Sequence, residues 1–244
     1  MSIETRDPAT TAPPRETSLG HRPDLAVLAR PDSAEAEAYR ALRANIKFAG
    51  GSDGRGEHPA RSILLADAGA GDERPAIAAN LACALAAAGD PTLLLDADLR
   101  RPSLHALFGL PNEEGVSTFL RGGSTGRDAT LPLRPTAVPG LTLLPAGPPP
   151  PDPAELLAAD RFRVLLALAR DAAAFVIVDA PPVTAVADAL AVAAAVDGVL
   201  LIVRAGRTRR AAAQRAKEQL LRVGANLLGV VLTDAKVGRG EYRY

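Results

Sequence analysis

Leu93-Leu-Leu-Asp-Ala-Asp-Leu-Arg100 decides the reading of this chain. An uninterrupted apolar run that ends abruptly in two aspartates describes a buried strand, over 92–96, meeting a charged site at its carboxyl end. Phe175-Val-Ile-Val-Asp-Ala-Pro-Pro182 has the same form, a strand over 175–179 closed by Asp179. Strands that are apolar on both faces belong to parallel sheets covered by helices. Working outward, further strands are expected over 62–66, 141–144, 198–203 and 227–232. Helices are expected over 75–88, 160–172, 185–195 and 210–222. Another helix is expected to start near Ser33 as its N-cap, with Glu35 and Glu37 in its first turn. The alternation predicts an α/β fold, a parallel sheet with helices on both faces. The proline-rich stretch 145–153 reads as a stiff surface loop.

Ligands of such sheets bind at the carboxyl ends of the strands, where Asp67, Asp96, Asp98 and Asp179 all fall. Converging carboxylates repel one another unless a cation sits between them. Mg²⁺ suits that place, because it takes carboxylates, waters and substrate phosphates. A single such aspartate ordinarily caps the next helix. Three at adjacent strand ends, with Arg100 nearby, favour a nucleotide–Mg²⁺ site.

Composition narrows the alternatives. Of 244 residues, 48% are hydrophobic and 23% charged, which excludes disorder throughout. Basic and acidic residues balance at 28 each, so the broad basic surface of a nucleic-acid binder is not expected. Cys83 is the only cysteine, and His21, His58 and His105 lie far apart, so neither type builds a metal site. Apolar stretches are interrupted by charge and proline, so no direct membrane insertion is expected. The N-terminus has no apolar signal region, and the chain reads as cytoplasmic. Residues 1–30 read as a disordered tail, 31–237 as the folded domain and 238–244 as a flexible C-terminal tail.

In these motifs the chain resembles the bacterial tyrosine kinases (BY-kinases) of capsule and exopolysaccharide assembly. Leu93 to Asp98, followed by Arg100 and Pro102, resembles the family's Walker A′ element. Phe175 to Asp179, with Pro181 and Pro182, resembles its Walker B element. Glu37, Arg40 and Arg43 match the family's Glu-x-x-Arg-x-x-Arg helix. Leu110-Pro-Asn-Glu-Glu-Gly115, Pro145-Ala-Gly-Pro-Pro149 and Leu228-Gly-Val-Val-Leu232 are similar as well. The resemblance implies a P-loop NTPase-like sheet, ATP or ADP with Mg²⁺ as ligands, and protein-tyrosine kinase activity. By that resemblance Asp96 and Asp98 are catalytic, and Asp98 and Asp179 support Mg²⁺. Gly69, Gly71, Arg74 and Arg100 are expected at the nucleotide. Glu37, Arg40 and Arg43 are expected at a contact between subunits, and Tyr242 and Tyr244 as phosphoacceptors. Implied partners are the chain itself or a related kinase subunit, and a transmembrane chain-length regulator or adaptor of polysaccharide export. That partner would hold the protein at the inner face of the plasma membrane.

One element departs from the family. The P-loop pattern Gly-x-x-x-x-Gly-Lys-[Ser/Thr] places Glu73 at the last glycine, Arg74 at the lysine and Pro75 at the hydroxyl residue. Glu73 adds bulk and negative charge where backbone should approach phosphate. Arg74 keeps a positive charge but as a planar fork. Pro75 offers neither N–H nor hydroxyl. Losing two or three phosphate contacts weakens binding by roughly 10² to 10⁴. The leading expectation is a pseudokinase with a regulatory or assembly role. The competing readings are a working autokinase that tolerates Arg74, a MinD/ParA-like ATPase and a dinucleotide-binding enzyme. The MinD/ParA-like reading wants a second P-loop lysine, absent from 67–71. The dinucleotide reading leaves Asp98, Arg100 and Asp179 unexplained.

Overall fold

The computed structural model describes residues 25–49, 60–69, 73–122 and 129–235. Within them the chain runs α1 (Ala26–Ala29), α2 (Ala34–Ala49), β1 (Ser62–Asp67), α3 (Arg74–Ala86), β2 (Thr92–Asp96), α4 (Leu104–Phe108) and α5 (Val116–Arg121). It continues through β3 (Arg134–Pro135), β4 (Leu141–Leu144), α6 (Pro153–Ala158), α7 (Asp160–Ala172) and β5 (Phe175–Asp179). The last elements are α8 (Asp188–Ala193), β6 (Gly198–Arg204), α9 (Arg210–Arg222) and β7 (Leu227–Thr233).

The seven strands form one sheet in the order β3-β4-β2-β5-β1-β6-β7. All neighbours pair in parallel except β3, which lies antiparallel on β4 at one edge. Side chains alternate between faces along a strand, and the two faces build two cores. Ile63, Leu65, Leu94, Ile177 and Ile202 pack under α3. Leu64, Leu93, Val176, Val178 and Leu201 pack against residues of α5 to α9, including Phe162 and Leu220. α3 is apolar nearly all round because the sheet covers one side and α2 the other.

The structure confirms the parallel sheet with helices on both faces and corrects three local expectations. α1 carries buried Leu25, Ala26 and Val27, so ordered packing begins inside the stretch expected as a tail. α8 spans Asp188–Ala193 rather than 185–195. The proline-rich stretch is not simply a surface loop. Pro145 and Ala146 accept the N–H groups of Val116 and Ser117, both at 2.8 Å, and both are buried. A Cβ on Gly115 would lie 2.0 Å from the Pro145 carbonyl oxygen, so this close approach requires glycine. The short elements α4, α5, α6 and β3 carry too little periodicity to be expected from sequence.

Candidate functional site

The row of side chains that points toward α3 runs out of apolar residues at the carboxyl ends of the strands. Ile63 and Leu65 lead to Asp67 on β1, Leu94 to Asp96 on β2, and Ile177 to Asp179 on β5. On β6, Leu200 and Ile202 lead to Arg204. Asp96 and Asp179 are direct neighbours across β2 and β5. Strand periodicity alone therefore gathers three carboxylates and one guanidinium below the start of α3.

Arg74, the first residue of α3, drops into this row. Its Nη2 donates to Asp98 Oδ2 at 2.8 Å and contacts Asp179 Oδ2 at 3.5 Å, while its Nε donates to Asp179 Oδ1. The side chains of Arg74, Asp98 and Asp179 are only 5%, 9% and 0% exposed. Pro75 follows at the second helical position, where a missing N–H leaves no gap in the ladder. The remaining Asp98 oxygen accepts the Arg101 N–H at 3.0 Å. A cation between Asp98 and Asp179 would have to displace the guanidinium. Among the described residues, no three histidine, cysteine or acidic side chains are grouped so as to hold a metal.

Asp96 takes the capping role that a lone strand-end aspartate ordinarily has. Oδ1 accepts the Asp98 N–H at 3.1 Å, and Oδ2 accepts those of Ser103 and Leu104 at 3.2 and 3.1 Å, at the start of α4. Burial pushes its carboxyl well above the usual range, reinforced by Asp179. Burial also pushes Asp179 up to about 6, against the pull of Arg74. Arg74 itself is held more firmly protonated: burial opposes its charge, but Asp179 and Asp98 outweigh that.

Other expected site residues fall elsewhere. Arg100, expected at the nucleotide, forks onto buried Asp188 of α8 at 2.8 and 3.0 Å. Gly69 donates its N–H to Asp67 Oδ1 at 2.8 Å and remains beside the loop. Gly71, Tyr242 and Tyr244 lie outside the described residues. Glu37 and Arg40 pair on α2 at 2.6 Å, and Arg40 also donates to the Pro31 carbonyl. Arg43 donates to the Ala84 carbonyl of α3 at 3.2 Å. The triad thus has contacts within one chain, and Arg43 is half-buried against α3.

Sequence reasoning did not give Arg204 a place in this site. Its Nη2 donates to Glu73 Oε1 at 2.6 Å, and its Nε stands 3.7 Å from Asp234 Oδ2, beyond β7. The alternation Leu200, Ile202, Arg204 carried that signal, since it puts Arg204 on the face of the three aspartates.

Comparison with known proteins places this geometry. No family model matches the chain. It is 35% identical over 222 residues to the tyrosine-protein kinase YwqD of Bacillus subtilis, covering 91% of this chain and 90% of that one. The chain belongs to the bacterial tyrosine kinase family. Its fold matches the crystal structure of the chimerical protein CapA2B2 with a TM-score of 0.76 and 37% identity, over 86% of this chain and 88% of that one. It matches the kinase domain of the Escherichia coli tyrosine kinase ETK with a TM-score of 0.76 and 32% identity, over 91% and 85% of the two chains. Among the described residues, no helix of this family member is long and apolar enough to cross a membrane.

Proposed function

We propose that this family member serves capsule or exopolysaccharide synthesis as a regulatory or assembly subunit with weakened or lost ATP–Mg²⁺ binding. The carrying observation is the Arg74 guanidinium held between Asp98 and Asp179. As these side chains stand, a magnesium–nucleotide does not fit. Arg74 occupies the place between the two carboxylates, and Pro75 supplies neither an N–H nor a hydroxyl. Glu73 brings a negative charge to the loop that would meet phosphate.

The assembly role rests on the family spacing of Glu37, Arg40 and Arg43. The exposed Glu37–Arg40 pair is the part of the triad open to another subunit. A cytoplasmic chain docked on a transmembrane adaptor is consistent with this reading. The working-autokinase alternative draws on one observation: Asp96, Asp98 and Asp179 all stand at neighbouring strand ends with a cationic residue among them.

Calorimetric titration of the full chain with ATP and Mg²⁺ decides between them. Binding weaker by roughly 10² or more than in a restored-loop variant (Glu73→Gly, Arg74→Lys, Pro75→Ser, Ala76→Thr) is expected. Micromolar or tighter binding by the unaltered chain would overturn the proposal. Phosphate on Tyr242 or Tyr244 in intact-mass analysis, lost in Asp96→Ala, would establish the autokinase instead.

A further inference from the structure

The start of α3 introduces two charges into the carboxyl end of the sheet, and each meets an opposite charge from a different element. Glu73 is met by Arg204 at the end of β6. Arg74 is met by Asp179 at the end of β5 and by Asp98 just after β2. The second group is sealed from water, with Arg74 5% and Asp179 0% exposed. Two carboxylates brought together without a cation repel one another strongly at such burial. A guanidinium meets this need well, because its planar fork reaches both partners at once while remaining charged.

We infer that Arg74 is a resident counter-ion, a cation built into the chain in place of a bound divalent metal. It offsets the charge of Asp98 and Asp179 and, with the Glu73–Arg204 pair, fixes the start of α3 without any ligand. The inference rests on the proposed conversion of the nucleotide site and adds what took the ligand's place. It makes the stability of the carboxyl end independent of divalent cations in the unaltered chain. It also makes the vacancy left by removing Arg74 a cation site.

The test is thermal unfolding of the full chain with EDTA or with Mn²⁺ and no nucleotide. Four forms are compared: the unaltered chain, Arg74→Ala, Arg74→Lys, and Arg74→Ala combined with Asp179→Asn. The unaltered chain and Arg74→Lys are expected to melt at the same temperature in both conditions. Arg74→Ala should melt lower in EDTA and regain about 3–6 °C at ten times the dissociation constant of Mn²⁺. The added Asp179→Asn should abolish that gain. If Arg74→Ala is unfolded in EDTA, recovery of folded chain with Mn²⁺ is the same supporting result. An Arg74→Ala chain that gains nothing from Mn²⁺, folded or not, overturns the inference. So does a gain of equal size in the unaltered chain. Because no nucleotide is present, these outcomes are separate from the ATP titration, and either idea can fail while the other stands.

Discussion

The two ends of one parallel sheet treat the same residue type in opposite ways. At the amino end, Asp197 accepts the Arg61 and Ser62 N–H groups at 3.0 and 2.8 Å and pairs with Arg170 at 2.9 Å. Burial works against its charge, but the Ser62 N–H, Arg170 and the Arg61 N–H outweigh it, so its carboxyl lies below the usual range. At the carboxyl end, burial wins, and Asp96 and Asp179 are pushed up. Asp197 is a third exposed and well supplied with donors, whereas Asp179 is sealed and shares one guanidinium with Asp98. A carboxylate with donors and water in excess is a joint in the fold. Carboxylates crowded around a single cation make a site whose charge state depends on that cation.

Removing the cation should therefore give the largest effect at the carboxyl end. Arg74→Ala in EDTA at neutral pH is expected to cost about 3–5 kcal/mol, because it leaves buried charge without a partner. Asp197→Ala should cost less, about 1–3 kcal/mol, since it strands one buried N–H, that of Ser62, while the Arg61 N–H lies at the surface. Urea unfolding of both variants measures the difference. An Asp197→Ala loss as large as that of Arg74→Ala would remove the distinction between site and joint.

The pH dependence should differ in sign between the ends. Asp179 is raised to about 6, so between about pH 4 and 6 the folded chain keeps a proton that the unfolded chain has released. Stability from this group is present at the low end of that window and is lost as pH rises through it. Asp197 is lowered, so its contribution is present above the unfolded value and is lost as pH falls below it. Asp179→Asn should lessen the fall in stability between about pH 4 and 6, leaving the part that raised Asp96 contributes, and Asp197→Asn should lessen the loss at more acid pH. Melting curves across that range test it. A steeper fall in Asp179→Asn would mean that Arg74, not burial, governs the carboxyl.

Much of this site was legible in the chain because strand periodicity is local. The runs before Asp96 and Asp179 gave the strands and placed both aspartates at their carboxyl ends. The P-loop position of Arg74 followed from the helix after it, whose run Ala78-Ala-Asn-Leu-Ala82 fixes the alignment. What spacing could not give was partner choice. Arg100 and Arg74 are both cations near Asp98 in sequence or space, yet Arg100 forks onto Asp188 and Arg74 takes Asp98. That choice depends on where α8 begins, a tertiary matter. Arg204 was legible as a strand-end cation, but its link to Glu73 spans two loops far apart in sequence. The burial of Pro145 was hidden for the same reason: it depends on the close approach of Gly115 from another loop.

The smallest expected effect concerns the rim. The Glu73–Arg204 pair has good geometry at 2.6 Å, but Glu73 is 49% exposed while Arg204 is only 12% exposed. Water already solvates the glutamate, so the pair should couple by only about 0.2–1 kcal/mol in a double-mutant cycle of Glu73→Ala and Arg204→Ala. The single variants should be unequal. Glu73→Ala leaves a largely enclosed guanidinium facing Asp67 and the more distant Asp234 without a direct hydrogen-bonded partner, whereas Arg204→Ala leaves a glutamate that can turn to solvent. The coupling should also shrink in about 1 M salt, where charges more than a few ångströms apart in water no longer sense one another. Coupling between Arg74 and Asp179, measured in the same way, should persist in that salt because water does not reach the pair. Equal salt sensitivity of the two couplings would mean that Arg74 is solvated in solution, and that the contrast between the enclosed counter-ion and the exposed rim pair does not hold.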